Sequence, residues 1–198
     1  MAFKFPFRGG SRAVNGATYS DKGVPRARLP VMDEAGGASV EQVEFIEAMA
    51  RWTSSIWIVT AEEGGVRYGR TVTAMMPLAP QPPTLLVSIM RDALLAEVIE
   101  RTEGFSLSML AAGQAEVADA FAGKVPPPQR FERGDWTQWP SGRPRLGQAS
   151  VALDCRLSGV IDTESHLVFS GTITCTALTE DYAPLLWGAR SYRQVSDD

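Results

Sequence analysis

Ser55-Ile56-Trp57-Ile58-Val59-Thr60-Ala61-Glu62-Glu63-Gly64-Gly65-Val66-Arg67-Tyr68-Gly69-Arg70-Thr71-Val72-Thr73-Ala74-Met75-Met76 is the stretch whose reading decides the fold class. Ile56 to Thr60 is rich in β-branched and aromatic residues, Glu63-Gly64-Gly65 is a turn, and the strand pattern returns from Arg67 through Met76. The segment therefore reads as a β-hairpin. Pro77, Pro80, Pro82 and Pro83 end it, and Thr84-Leu85-Leu86-Val87-Ser88-Ile89 resumes as a largely apolar strand expected to be buried on both faces.

Toward the C-terminus, Asp92 is placed to cap a short helix carrying Leu94, Leu95, Val98 and Ile99. Gly104 restarts a strand through Leu110, and Gln114 to Gly123 has helical period with Val117 and Phe121 inward. Five prolines between residues 124 and 148, with Trp136 and Trp139 among them, describe a long ordered loop. Val151, Leu153, Cys155 and Leu157 alternate with Ala152, Asp154, Arg156 and Ser158. After a polar turn at 162–165, His166 to Thr176 alternates again, giving a second antiparallel hairpin.

Toward the N-terminus, Ser39 and Gln42 have capping-box spacing, and Val43, Ile46, Met49 and Ala50 share one helical face, predicting a helix through about Arg51. Residues 1–38, rich in Gly, Arg, Ser and Pro, read as an extended or loosely packed arm, leaving 39–198 as one domain. Short strands, few short helices and no regular β-α-β alternation predict a mainly β fold, a barrel dominated by antiparallel strands.

Composition narrows the chemistry. The 198 residues are 44% apolar and 21% charged, ordinary values for a packed core. The net charge of −4 arises from interspersed acids and bases with no basic stripe, so no nucleic acid is expected as a partner. Apolar runs are of strand length, short of the roughly 20 residues a helical membrane span requires, and Met1 to Gly10 lacks a secretory pattern; a soluble, cytoplasmic protein is expected. Cys155 and Cys175 read as buried thiols. With one histidine, His166, and neither Cys-x-x-Cys nor His-Glu-x-x-His, zinc sites built from several His or Cys ligands are excluded and no metal is expected. Gly-x-Gly-x-x-Gly, a Walker loop and Gly-x-Ser-x-Gly are also absent. Chemistry must come from few polar side chains or from a cofactor.

On a continuous strand, Thr71 and Thr73 would share one face with hydroxyls about 7 Å apart, suited to a cofactor's phosphate or ring carbonyls, although threonine is also simply a good strand former. His166 opens a strand after a tight turn, where it can contact a nicotinamide, stack on a ring or face water. Arg130-Phe131 and Arg91 can reach a phosphate or a nucleotide base, or are plain surface arginines with partly buried stems.

An ordered series of segments goes further. Ser54-Ser55-Ile56-Trp57-Ile58-Val59-Thr60, Gly69 to Ala74 with Leu78, Pro82 to Ile89, Phe105 to Leu110, Gln114 with Ala120-Phe121-Ala122, Arg130-Phe131 and Trp136 are its first part. Gly142 with Pro144-Arg145-Leu146, Ala152 to Cys155, His166 to Gly171, and Pro184 to Trp187 with Tyr192 complete it. Across roughly residues 41–195 the series resembles the short-chain flavin reductase family, the reductase components of two-component flavin-dependent monooxygenases. Ser55 stands for that family's usual Gly, Ser108 for a common Asn, and Glu164-Ser165-His166 for Gly-Asp-His.

The resemblance implies an FMN-binding split β-barrel, homodimeric, with flavin near the subunit interface. It places Ser54 and Ser55 near the flavin and has Thr71, Val72, Thr73 and Ala74 offer it amides and hydroxyls. Ser88 and Arg91 would complete that pocket, and His166, the one catalytic candidate, would face the nicotinamide. The implied activity is hydride transfer from NADH or NADPH to FMN or FAD, supplying a partner monooxygenase. The alternatives are a non-catalytic flavin- or haem-binding sensor or carrier, and a flavoenzyme reducing a corrin or ferric acceptor.

Overall fold

A computed structural model describes residues 18–19, 23–29, 40–180 and 182–195. In chain order the elements are β1 (Thr18–Tyr19), β2 (Pro25–Arg28), α1 (Gln42–Ala50), β3 (Ser54–Ser55), β4 (Trp57–Glu63), β5 (Val66–Val72), β6 (Met75–Pro80), β7 (Pro83–Met90) and α2 (Leu94–Thr102). They continue as β8 (Gly104–Met109), α3 (Ala115–Asp119), β9 (Trp136–Gln138), β10 (Pro144–Leu146), β11 (Val151–Asp162), β12 (His166–Leu178), β13 (Leu186–Gly188) and β14 (Ser191–Arg193). A wide helical turn, Ala120–Lys124, prolongs α3, and a 3-10 helix spans Pro127–Glu132.

The main sheet runs β5-β4-β8-β11-β12-β7-β6, every neighbouring pair antiparallel. Its two edge strands, β5 and β6, are consecutive in sequence and joined only by Thr73 and Ala74. Laid flat, six interstrand steps of about 4.8 Å would hold the edges ~29 Å apart, whereas Val72 to Met75 spans at most about 11 Å. The sheet must roll until its edges approach, so it is a split β-barrel with its seam at Thr73–Ala74. Ser88 N donates to Ala74 O at 3.0 Å, prolonging the β6–β7 ladder by one step into the seam.

The seam corrects the first hairpin, which ends at Val72 instead of Met76. Met75–Pro80 is a separate strand despite Pro77 and Pro80, because among the described residues β6 pairs only with β7 and prolines are tolerated on an edge. On β7 only Leu85, Val87 and Ile89 are buried, while Thr84, Leu86 and Ser88 are half-exposed, so the expected burial of both faces is not found there. It occurs on β8 instead: Phe105, Leu107 and Met109 enter the barrel interior, and Ser106 and Ser108 turn toward the 136–146 region. The serines are satisfied there. Ser106 Oγ donates to Leu153 O at 3.1 Å and accepts from Trp139 Nε1 at 2.9 Å, and Ser108 Oγ accepts from Leu146 N at 3.4 Å.

The loop at 124–148 is ordered through its 3-10 helix and the β9–β10 hairpin. With α3 it closes a second core of Ile58, Leu110, Val117, Phe121, Phe131 and Leu146, in which Phe121 and Phe131 meet edge to face at 4.9 Å.

Ala93, not Asp92, is the N-cap of α2, and no side chain caps it; Leu94 is exposed while Leu95, Val98 and Ile99 are buried. At α1 the N-cap is Glu41 without a side-chain bond, and Ser39 of the expected capping box lies outside the described residues. Helix α1 buries nothing: Val43, Phe45, Ile46 and Met49 are 71%, 56%, 48% and 47% exposed. Cys155 is a buried free thiol, its pKa raised by desolvation to about 12, and Cys175 is half-buried and also free. Most of the N-terminal arm lies outside the described residues, but β2 adds to β11 in parallel, and Arg26 reaches Glu100 at 2.7 Å and Asp162 at 3.0 Å.

Candidate active site

Strands β4 and β5 are paired from Glu63–Val66 to Trp57–Val72, so Ser54-Ser55 and Thr73-Ala74 leave the ladder at the same end. Ser54 and Ser55 pair instead with Trp187 and Leu186 of β13, and Ser55 Oγ accepts from Trp57 Nε1 at 2.8 Å. Because β5 stops at Val72, Thr71 and Thr73 do not form the pair of hydroxyls that a continuous strand would present. Thr71 Oγ1 donates to Ala118 O at 2.7 Å, tying α3 to the strand, and Thr73 and Ala74 are exposed in the connection.

A cavity of about 500 Å³ opens beside Thr71, Val72 and Thr73. Ala118 and Asp119 of α3 line it, and the C-terminal hairpin supplies Trp187 and Tyr192, whose rings meet at 5.2 Å. Tyr192 OH donates to Asp119 Oδ1 at 2.5 Å, and Lys124 Nζ lies 2.9 Å from Asp119 Oδ2. The Tyr192 hydroxyl, followed by Lys124, holds the Asp119 carboxyl below its ordinary range. Burial, and then that carboxylate, push the Tyr192 phenol well above its own. At neutral pH this wall is a neutral phenol bonded to a charged carboxylate, a fixed arrangement and not a proton relay.

Beyond the seam the outer face of the sheet continues onto β7 and β12. Ser88 pairs with Val168 and Met90 with His166, so Ser88 and His166 are diagonal neighbours on one face. His166 is half-buried, with Nδ1 2.8 Å from Ser165 Oγ. Thr163 clamps the turn before it, donating through Oγ1 to His166 O and accepting from His166 N. Arg91 secures the same turn: its backbone N–H donates to Ser165 O, Nε to Glu164 O, and the guanidinium engages Thr163 O and the Asp162 carboxylate.

Of the residues named from sequence, Thr71, Val72 and Thr73 line the cavity; Ala74 is bonded to Ser88, Ser54 and Ser55 pair with β13, His166 lies on the β7–β12 face diagonal to Ser88, and Arg91 sits behind the turn that carries His166. Sequence reasoning did not find the wall formed by Asp119, Lys124, Trp187, Arg190 and Tyr192. The aromatic pair Trp187 and Tyr192 was its only legible trace, and nothing in spacing directs residues more than 110 positions away to Thr71. Among the described residues no His, Cys, Asp and Glu side chains gather as a metal site, and no helix is long and apolar enough to cross a membrane.

Residues 49–196 match a family model described as flavin reductase like domain. The chain is 32% identical over 163 residues to the FMN reductase (NADH) RutF 1 of Methylorubrum extorquens strain PA1, covering 82% of this chain and 81% of that protein. The crystal structure of a flavin reductase domain protein from Arthrobacter sp. FB24 aligns with a TM-score of 0.72 at 26% identity, covering 79% of this chain and 96% of that one. At 22% identity and a TM-score of 0.73, covering 80% of this chain and 100% of that one, the fold is also that of BorF, the flavin reductase component of a bacterial two-component tryptophan halogenase.

Proposed function

The chain belongs to the flavin reductase-like domain family, and from that premise we propose that it is an NAD(P)H:flavin oxidoreductase acting on FMN or FAD. The observation that carries this reading is the seam cavity lined by Thr71, Val72 and Thr73 with Trp187 and Tyr192, next to which Ala74 is bonded to Ser88, itself the diagonal neighbour of His166. A cavity of about 500 Å³ with an aromatic wall and exposed backbone at its rim suits a flat ring with a polar edge. When bound, the flavin supplies the two-electron chemistry.

The residues of the chain then have positioning tasks. Thr71 to Ala74 offer backbone donors and acceptors to the polar edge of the ring, and preorganised donors of this kind stabilise negative charge without reorganising. Ser54, Ser55 and Ser88 border the ring, His166 orients the nicotinamide, and Arg91 holds the turn that sets the histidine. Hydride transfer carries no separate proton, so the scarcity of acid and base groups is consistent with this work. The reduced flavin serves a separate monooxygenase, a two-component arrangement of the kind in which BorF is the reductase component of a tryptophan halogenase.

Anaerobic mixing of the protein with FMN or FAD and then NADH or NADPH tests the reading. Rapid loss of the visible band of oxidised flavin, with multiple turnovers in air, is expected. Flavin retained without NADH oxidation would move the assignment to a non-catalytic carrier, and transfer only to a corrin or ferric complex would change the acceptor. In the same assay His166→Ala is expected to raise the KM for the nicotinamide about tenfold with flavin affinity unchanged. Unaltered kinetics would remove His166 from the site.

The protein also works as a homodimer in this reading. A nine-residue helix with four exposed apolar side chains is not stable without a partner surface, and a second copy of the chain supplies one. Phe45→Glu combined with Ile46→Glu is expected to convert a dimer into a monomer in sedimentation velocity. A wild-type protein that sediments as a monomer would overturn this part.

A further inference from the structure

On the outer side of β5, between that strand, the start of α2 and the 3-10 helix, lies a second cleft of about 430 Å³. Arg67, Arg70 and Arg130 border it, and no carboxylate does so among the described residues. None of the three enters an ion pair among the described residues. Arg67 lies over the Phe131 ring at 4.5 Å, and Arg130 donates to Val125 O and Gly69 O at 3.2 Å each, which fixes both guanidiniums at the rim. Burial and the neighbouring charge of Arg70 hold Arg130 below the ordinary guanidinium range. Cations gathered in this way repel one another until an anion joins them.

The floor of the cleft is apolar. Leu94, 53% exposed at the start of α2, faces this space together with Pro127 and Pro128. One end adjoins the candidate active site, since Arg70 Nη2 lies 3.6 Å from Met90 Sδ and Met90 is the cross-strand partner of His166. A cationic rim over an apolar shelf is the chemistry of a nucleotide site: guanidiniums for phosphates and a flat surface for a base.

We infer that this cleft takes the ADP half of a dinucleotide, its phosphates on Arg67, Arg70 and Arg130 and its adenine on Leu94, Pro127 and Pro128. The inference rests on the reductase reading, because NAD(P)H and FAD share that half and FMN lacks it.

Calorimetric titration of ADP and of inorganic pyrophosphate into the full chain tests it, with wild type compared with Arg67→Glu/Arg70→Glu and the milder Arg67→Gln/Arg70→Gln. ADP binds the wild type in the expected result, and charge reversal weakens it at least about tenfold. Steady-state kinetics then separate the sources. A raised KM for NADH with either flavin assigns the cleft to the nicotinamide cofactor's tail, and a rise confined to FAD assigns it to the flavin's tail. Absence of ADP binding to the wild type, equal binding by wild type and variants, or pyrophosphate binding as tightly as ADP would each overturn the inference. So would KM values for NADH, FAD and FMN that are all unchanged. A wild-type protein that binds ADP but never oxidises NADH would sink the reductase reading and leave the nucleotide cleft standing.

Discussion

Arg143→Ala is expected to lower the free energy of unfolding by about 3–5 kcal/mol, the cost of leaving a buried charge without its partner. Arg143 Nη1 lies 3.0 Å from Asp154 Oδ1, with side-chain exposures of only 16% and 4%. The other support for that carboxylate is Thr174, whose Oγ1 stands 3.5 Å from Oδ2. The guanidinium packs so closely over Gly104 that a Cβ there would fall 2.0 Å from Nη2, which leaves little room for water to replace it. Arg143 belongs to the 124–148 region and Asp154 to β11, so the pair pins the second core to the barrel. Chemical denaturation measures the loss, and Arg143→Met combined with Asp154→Asn, which removes both charges, is expected to recover most of it. A loss below about 1 kcal/mol, the usual worth of an exposed pair, would show that Asp154 finds solvent in the folded state.

Gly69→Val should be nearly as damaging, at about 3 kcal/mol, the upper part of the range for overpacking a core. A Cβ at Gly69 would meet Phe121 Cε1 at 2.5 Å and Cδ1 at 2.8 Å. The Phe121 ring cannot swing aside, because Phe131 and Trp136 enclose it at 4.9 and 5.4 Å. Relief requires movement of α3, and α3 carries Ala118, the acceptor for Thr71, and Asp119 of the cavity wall. The variant should therefore lose flavin affinity together with thermal stability. Combining it with Phe121→Leu should give a loss clearly smaller than the sum of the single losses. Strictly additive losses would mean that Gly69 matters for something other than contact with Phe121.

These two sites show what was legible in the chain. Alternation at Val151–Leu157 and again after residue 165 predicted the long β11–β12 hairpin, because hydrophobic period is local to the chain, although Ala152 and Asp154 on the opposite face of β11 are buried as well. The apolar face of α2 and the strand at Gly104–Met109 were legible for the same reason. Met75–Pro80 was not, since its prolines signal a break unless the strand is known to lie on an edge. Burial of both faces was assigned to β7 because it is the more apolar run, while β8 carries serines; those serines are buried on bonds to Leu153, Trp139 and Leu146, none of them near in sequence.

The candidate site divides along the same line. Thr71 to Ala74, Ser88 and His166 could be named from an ordered series of segments that resembles a family. Arg130, Trp187 and Tyr192 could be singled out, but not the wall that Asp119 and Lys124 form with the two aromatics, nor the grouping of Arg130 with Arg67 and Arg70, because each depends on where separate elements stop and meet.

By itself the sequence determined a mainly β chain with two hairpins and a chemistry resting on few polar side chains or on a cofactor, because hydrophobic period, turn residues and composition are local properties. Only the tertiary structure decided that a two-residue link closes the sheet into a split barrel and that Thr71 is committed to α3. It also decided that Arg91 braces the turn of His166, because these follow from sheet order and packing between distant residues, which leave no period in the chain.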